Sequence, residues 1–402
     1  MKAIKKNNYA LLLLINLLLV ATIGVIMRYK IGFSFPFLNQ KNLQHAHSHF
    51  AFAGWISQSL MVMFVYYLQQ QNIIGKIKQF NAILWLNLLI AYGMLASFAF
   101  SGYSFVSIIL SSASIILFFV FAVEANKELQ KCHHLPATNF FRGAFLFGVL
   151  SSIGTISLSI IIATHQFNQH IYLASVYWYL HFQYNGYFFF SCLGLLFYYL
   201  STLQITVSKW VFKLLFLSTF FTYGLSVLWL KIPWYIYLII FCATIAQTIG
   251  FAKLLMELYN QNFLKKIKSV LVKYLIVFVS MALIVKYLLQ LGSTIPTLSH
   301  FAFGFRSVVI AYLHLVLLAI ISVSIICFLV VNGFIIENKK SRLAILLFCL
   351  GIFLNELVLG IQGIASITYA LIPFANEALF AISIFMFFCV VWLIIIHKKR
   401  KA

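Results

Sequence analysis

Apolar stretches of about 20 residues or more recur twelve times along this chain of 402 residues, with only short loops between them. They run over residues 9–29, 43–69, 79–100, 104–124, 141–164, 171–201, 211–230, 234–256, 270–291, 301–333, 343–370 and 375–396. A membrane-spanning helix needs about 20 consecutive apolar residues. The pattern therefore predicts an all-α polytopic membrane helical bundle of about twelve transmembrane helices, forming a single integral membrane domain over 1–402. Composition agrees. The chain is 63% hydrophobic and only 8% charged, whereas soluble domains are roughly a quarter charged. No stretch is left for a soluble domain.

A formal net charge of +22 raises the question of nucleic acid, and the distribution of the charge answers it. Of 28 Lys and Arg, 22 fall at the N-terminus, in the loops after even-numbered stretches, at the adjoining helix ends or at the C-terminus. Arg28, Lys30, Lys41, Lys231, Lys286 and Arg306 are the six that do not. Such alternation is the positive-inside pattern. It places both termini in the cytoplasm and assigns the charge to topology and contact with membrane lipid. A nucleic-acid partner is not expected, and a multi-pass protein of a bacterial-type inner (cytoplasmic) membrane is. The start, Lys5-Lys6 before Leu11 to Leu14, is similar to a signal peptide. Its apolar run is too long and no small-residue cleavage site follows, so it reads as the first span. The six cysteines form no spaced pair and read as packing residues. Cys132-His133-His134 falls in a loop, and adjacent ligands rarely satisfy one ion without further partners.

Six of the eleven histidines lie in or at the edge of three of the twelve stretches: His45, His47 and His49 in the second, His181 in the sixth, and His300 and His314 between Ser299 and Leu315 at the start of the tenth. An ionisable side chain in hydrocarbon is costly unless it has a partner, which makes it a functional-site hypothesis by default. With the orientation above, helices 2, 6 and 10 all run from outside to inside, and all three carry histidine in the outer half. Imidazoles converging from separate helices suit a metal, most often heme iron. On helix 2, residues two apart point about 200° apart, so His45 and His49 share a face and His47 points away. Spacing does not say which face looks inward. His47 and His49 are the candidate heme ligands on this helix, and His45 lies near the interface. Arg306 precedes His314 by two turns, roughly 12 Å. That is a reach suited to pairing with carboxylates or to snorkelling toward headgroups. Glu356 is the one acidic residue deep in a stretch and is read as a helix–helix bond. The chain contains no aspartate.

On these features the chain resembles subunit I of the heme–copper oxidase superfamily, the bacterial nitric oxide reductases included. Those proteins also have twelve helices, with histidines in the outer half of helices 2, 6 and 10. The resemblance implies a cytochrome oxidase subunit I-like fold and a b-type heme between helices 2 and 10, with His47 or His49 and His314 as axial ligands. His181-Phe-Gln-Tyr-Asn-Gly186 is similar to the helix 6 motif of the reductases. This implies copper or non-heme iron at His181, with His45 as a further candidate metal ligand. Three departures follow. Asn185 stands where the family has glutamate, Tyr312 stands where it has the active-site heme ligand, and residues 211–230 carry no histidine. A classical oxygen-reducing centre is therefore not expected. An oxidoreductase-type role in electron transfer or nitric oxide or oxygen chemistry is implied instead. With no Cys-x-x-Cys-His motif in the chain, electrons would come from a quinol or a donor protein. The segment His45-Ala-His-Ser-His49 also resembles the His-Ala-His motif of NnrS-type heme and copper membrane proteins, which implies a sensor or chaperone without turnover. A transporter with a histidine-lined path is the remaining alternative. It predicts Gly- or Pro-broken helices at mid-membrane, and the five prolines lie near the ends of stretches.

Overall fold

The computed structural model describes residues 6–73, 77–132, 136–164, 167–299, 305–367 and 369–398. Among these residues there are helices and no strand. Eleven helices are long and apolar enough to cross a membrane: α1 Lys6–Gly32, α2 Gln40–Gln70, α3 Lys78–Ser101, α4 Phe105–Leu129, α5 Pro136–Ala163, α7 Lys209–Val227, α8 Trp234–Asn260, α9 Val270–Ser293, α10 Ser307–Val331, α11 Lys339–Ser366 and α12 Ala375–Lys398. The remaining expected stretch is also helical, as α6 over residues 169–202. Its tyrosines, His181, Gln183 and Asn185 make it too polar to meet the same threshold of hydropathy. The chain is thus an all-α, multi-pass membrane protein.

Helix ends follow local chemistry. Asn39 starts α2 by accepting from the amides of Lys41 and Asn42, Asn168 does the same for α6, and Ser208 and Ser269 cap α7 and α9. Each supplies an acceptor to an amide that has no partner in the first turn. Pro136 opens α5, where its missing N–H costs nothing.

The chain divides into two compact units. The first comprises residues 1–121, 274–276 and 310–402. Within it α1 packs on α2 and α12, α2 on α3, and α11 on α12. The second comprises 122–273 and 277–309, with α5 against α6 and α7 against α8. Close approach of α5 and α6 depends on Gly186, where a Cβ would stand 2.4 Å from the Cβ of Phe147.

Burial singles out three helices. Of the best apolar window of α2, 94% is buried, and of α10, 78%; in the other nine of these eleven the share is 50% or less. The second half of α6 is buried to a similar extent, with every residue from His181 to Leu195 buried except Gln183. α2 and α10 are the ones expected to clamp a heme.

Three π-helical segments occur among the described residues, Ala51–Ser57 in α2, Phe182–Phe188 in α6 and Leu315–Ser322 in α10. Each starts one or two residues beyond a histidine: His49, His181 and His314. π-helical turns are rare and concentrate at functional sites. Their irregular backbone is sustained by neighbouring amides. Asn16 of α1 donates to the Gly54 carbonyl at 2.5 Å, and Asn87 of α3 donates to the Ala53 carbonyl at 3.2 Å. Asn16 is in turn held by the Tyr92 hydroxyl at 2.8 Å.

Candidate functional site

In the first unit, α2 and α10 run side by side in the same direction, shown by three successive contacts. The imidazoles of His47 and His314 lie within electrostatic reach of each other. Further along, Trp55 Nε1 donates to Ser322 Oγ at 2.9 Å. Beyond that, Gln58–Gln70 packs on Val323–Val331. Trp55 follows His47 by eight residues and Ser322 follows His314 by eight. The tryptophan–serine bond therefore sets the two histidines level, about 12 Å away at 1.5 Å per residue.

His47 and His314 are both only half-buried. His314 Nδ1 bonds the carbonyl of Ile310, one turn back on its own helix, at 2.9 Å. A ring nitrogen facing a carbonyl carries the proton, so Nε2 is left with its lone pair. This is the tautomer a metal-binding histidine adopts, oriented by its second nitrogen. His47 reaches the backbone of Val20, and its Nδ1 is buried without a hydrogen-bond partner.

The third wall is α1. Val20, Gly24 and Arg28 recur every fourth residue and form one stripe. Gly24 presents no side chain, and a Cβ there would touch His47 Cε1 at 3.6 Å. Arg28, one turn further on, lies within electrostatic reach of both histidines. Among the described residues its guanidinium forms no ion pair and no hydrogen bond. A half-buried guanidinium without a carboxylate is matched to an anionic group on whatever occupies the space beside it.

The other two histidines of the triplet turn the opposite way. His49 stacks on Phe98 of α3, with centroids 4.2 Å apart and planes at 10°, and its Nε2 lies 3.4 Å from the Tyr103 hydroxyl. His45 meets Tyr103 edge-on at 4.6 Å. The two do share a face, as their spacing requires, and that face is toward α3 rather than α10. Of the two candidate heme ligands on α2, only His47 is brought to His314. Tyr312 is about 200° around α10 from His314, so the two do not address the same space. The side chain of Arg306 lies outside the described residues, as do His300, His133 and His134.

His181 belongs to the second unit, is 1% exposed, and has both ring nitrogens engaged. Nε2 faces the Thr219 carbonyl at 2.8 Å and must carry the proton. Nδ1 is then an acceptor, from Asn185 Nδ2 at 3.2 Å. This is a satisfied neutral imidazole. No group of three His, Cys, Asp or Glu converges on a common point among the described residues. Glu356 bonds its neighbour Asn355 at 3.1 Å. All six cysteines are free thiols, with only Cys242 exposed.

The sequence reading missed Arg28, Gly24 and the Trp55–Ser322 bond. A four-residue stripe in the first span ending in its one arginine was a usable signal for the first two. Nothing in the sequence signals the third. No family model matches this chain, and no curated protein matches it. The fold defines it as a multi-pass α-helical membrane protein, in which His47 of α2 and His314 of α10 are brought together.

Proposed function

We propose that this protein binds a b-type heme between α2 and α10, with His47 and His314 as the axial pair, and serves in electron transfer within a bacterial-type inner membrane. The observation that carries the reading is the level pairing of two imidazoles from α2 and α10, with His47 Nδ1 unpaired and His314 Nδ1 bonded to the Ile310 carbonyl, which leaves its Nε2 as the acceptor. The residues fit the group in three respects. His314 is held in the ligating tautomer by the Ile310 carbonyl. Gly24 keeps the space beside His47 open. Arg28 supplies the cation that heme carboxylates require on the outward side. When bound, heme supplies one-electron redox chemistry whose potential is set by its axial ligands, hydrogen bonds and burial.

A heme held by both His47 and His314 would be suited to electron transfer rather than to activation of a bound gas. The second metal of the heme–copper oxidases does not fit at His181, because both its nitrogens are committed and Asn185 donates to it. No step is assigned to that position. The electron donor would be a quinol or a partner protein.

The test is a reduced-minus-oxidised visible spectrum of the purified protein with a pyridine hemochrome assay. The expected result is a sharp low-spin b-type signal with about one heme per chain. His314→Ala and His47→Ala abolish it, and His49→Ala keeps it. A normal low-spin spectrum in His314→Ala overturns the assignment. Reduction of the bound heme by a quinol separates a redox role from NnrS-type binding without turnover.

A further inference from the structure

In the first unit two bonds bridge α1 and α3, and a cleft opens between these helices. Near the start of both, the Tyr9 hydroxyl donates to Asn81 Oδ1 at 3.3 Å. Further along, the Tyr92 hydroxyl donates to Asn16 Oδ1 at 2.8 Å. The pairs advance together, so the helices run in the same direction, and in each pair long side chains span the gap. The cleft has a volume of about 290 Å³ and is lined by Asn8, Tyr9, Leu11, Leu12 and Ile15 of α1 and by Trp85 of α3. That is near the lower end of the range for ligand sites. It is open to the outside, since Trp85 is 58% exposed and Asn8 is exposed as well. Leu86 and Leu89, next on α3, are also exposed. On a multi-pass membrane protein such a face meets hydrocarbon. A gap left empty there forfeits the dispersion contacts of its walls, so an apolar chain fills it.

The mouth of the cleft sets it apart from ordinary lipid-facing surface. Lys78, Asn81 and Trp85 are spaced three and four residues apart and share one face of α3. Lys78 is exposed, stands roughly 10 Å from Trp85 along the helix, and forms no ion pair among the described residues. Lys6 precedes Tyr9 by three residues, as Lys78 precedes Asn81, so the two lysines are level. Lys6 is already engaged: its ammonium donates to the Asn332 carbonyl at 2.9 Å and lies over the ring of Tyr66. Lys78 is left to meet whatever enters the cleft. A lysine at the helix end with a tryptophan below it is the arrangement of a membrane interface. This end of the spans is also the one where the basic residues of the sequence gather, which faces the leaflet carrying anionic lipid.

We propose that this cleft is a specific site for an anionic phospholipid. One acyl chain lies among Leu12, Ile15 and Trp85, and the phosphate of the headgroup meets the ammonium of Lys78. A zwitterionic lipid offers the same chain, but its own cation offsets the attraction to the lysine.

The experiment reads the fluorescence of Trp85 in the purified full chain, reconstituted into bilayer nanodiscs with lipids brominated on the upper acyl chain. The signal of Trp85 is the difference between the parent and Trp85→Phe. Brominated phosphatidylglycerol diluted into plain phosphatidylcholine is expected to reach half-quenching at a mole fraction about fivefold lower than brominated phosphatidylcholine diluted into plain phosphatidylglycerol, the worth of one basic residue at an anionic surface. Lys78→Gln, at an exposed position, is expected to bring that ratio close to one with the unfolding midpoint unchanged. Leu12→Phe, which puts a ring into the cleft, is expected to lower the ratio as well. The proposal is overturned by equal quenching by the two lipids in the parent, or by a ratio unchanged in Lys78→Gln or in Leu12→Phe. It is also overturned if neither lipid quenches Trp85, the outcome where a second copy of the chain covers the cleft.

Discussion

His47 and His49 show how two residues of the same type, one turn apart at most, come to do different things. A separation of two along a helix fixes their relative direction at about 200° and leaves their absolute direction open. The aromatic pair Phe98 and Tyr103 takes His45 and His49, so His47 is turned toward α1 and α10. Residue types at the site were legible in the sequence, since histidines within apolar stretches stand out against 8% charge. Their azimuth was not, because it depends on which neighbour each helix face meets. Gly24 carries a matching prediction. Gly24→Leu places branched carbons beyond a Cβ that would itself stand 3.6 Å from His47 Cε1. It should lower heme content per chain severalfold while helix content by circular dichroism stays at the parent level. Unchanged heme content would show that the α1 stripe does not border the site.

At the scale of the element, the three helices that carry His47, His181 and His314 are also the three with π-helical segments among the described residues. Helix existence and limits were readable from apolar length and caps. The π turns were not, because an i to i+5 ladder depends on groups outside the helix. In α2 those groups are Asn16 and Asn87, which reach across from α1 and α3 to the Gly54 and Ala53 carbonyls. Asn16→Leu removes the donor to a buried carbonyl and also strands the Tyr92 hydroxyl. A loss of about 1–3 kcal/mol is expected, the cost of leaving a buried polar group unpaired. It would be read as a lower midpoint in detergent-monitored unfolding, together with reduced heme retention. α6 makes the complementary point. Its tyrosines, His181, Gln183 and Asn185 lower its hydropathy below that of the other spans; of these, Gln183 accepts from Ser151, and His181 bonds Asn185 and the Thr219 carbonyl.

At the scale of the whole molecule, the twelve crossings expected from the sequence predict both termini on one side, with Lys340 on that side and Lys231 on the other. In a chain carrying Lys231→Cys, a membrane-impermeant maleimide should label intact cells. With Lys340→Cys, labelling should require permeabilisation. The reverse pattern would invert the orientation, and labelling of both from one side would break the count. The sequence by itself determined the class: all-α, multi-pass, with helix limits within a few residues of those observed. Hydrocarbon demands that each span satisfy its backbone internally, and that demand is met locally, by runs of apolar residues the eye can count. The pairing of His47 with His314, the neutral satisfaction of His181 and the cleft between α1 and α3 were decided only by the tertiary structure. Each depends on which side chains arrive from other helices. Equal eight-residue offsets from His47 to Trp55 and from His314 to Ser322 mean nothing until a bond joins their far ends. Tyr9 and Trp85 are likewise two aromatics among many until the bonds between α1 and α3 set them on the walls of one cleft.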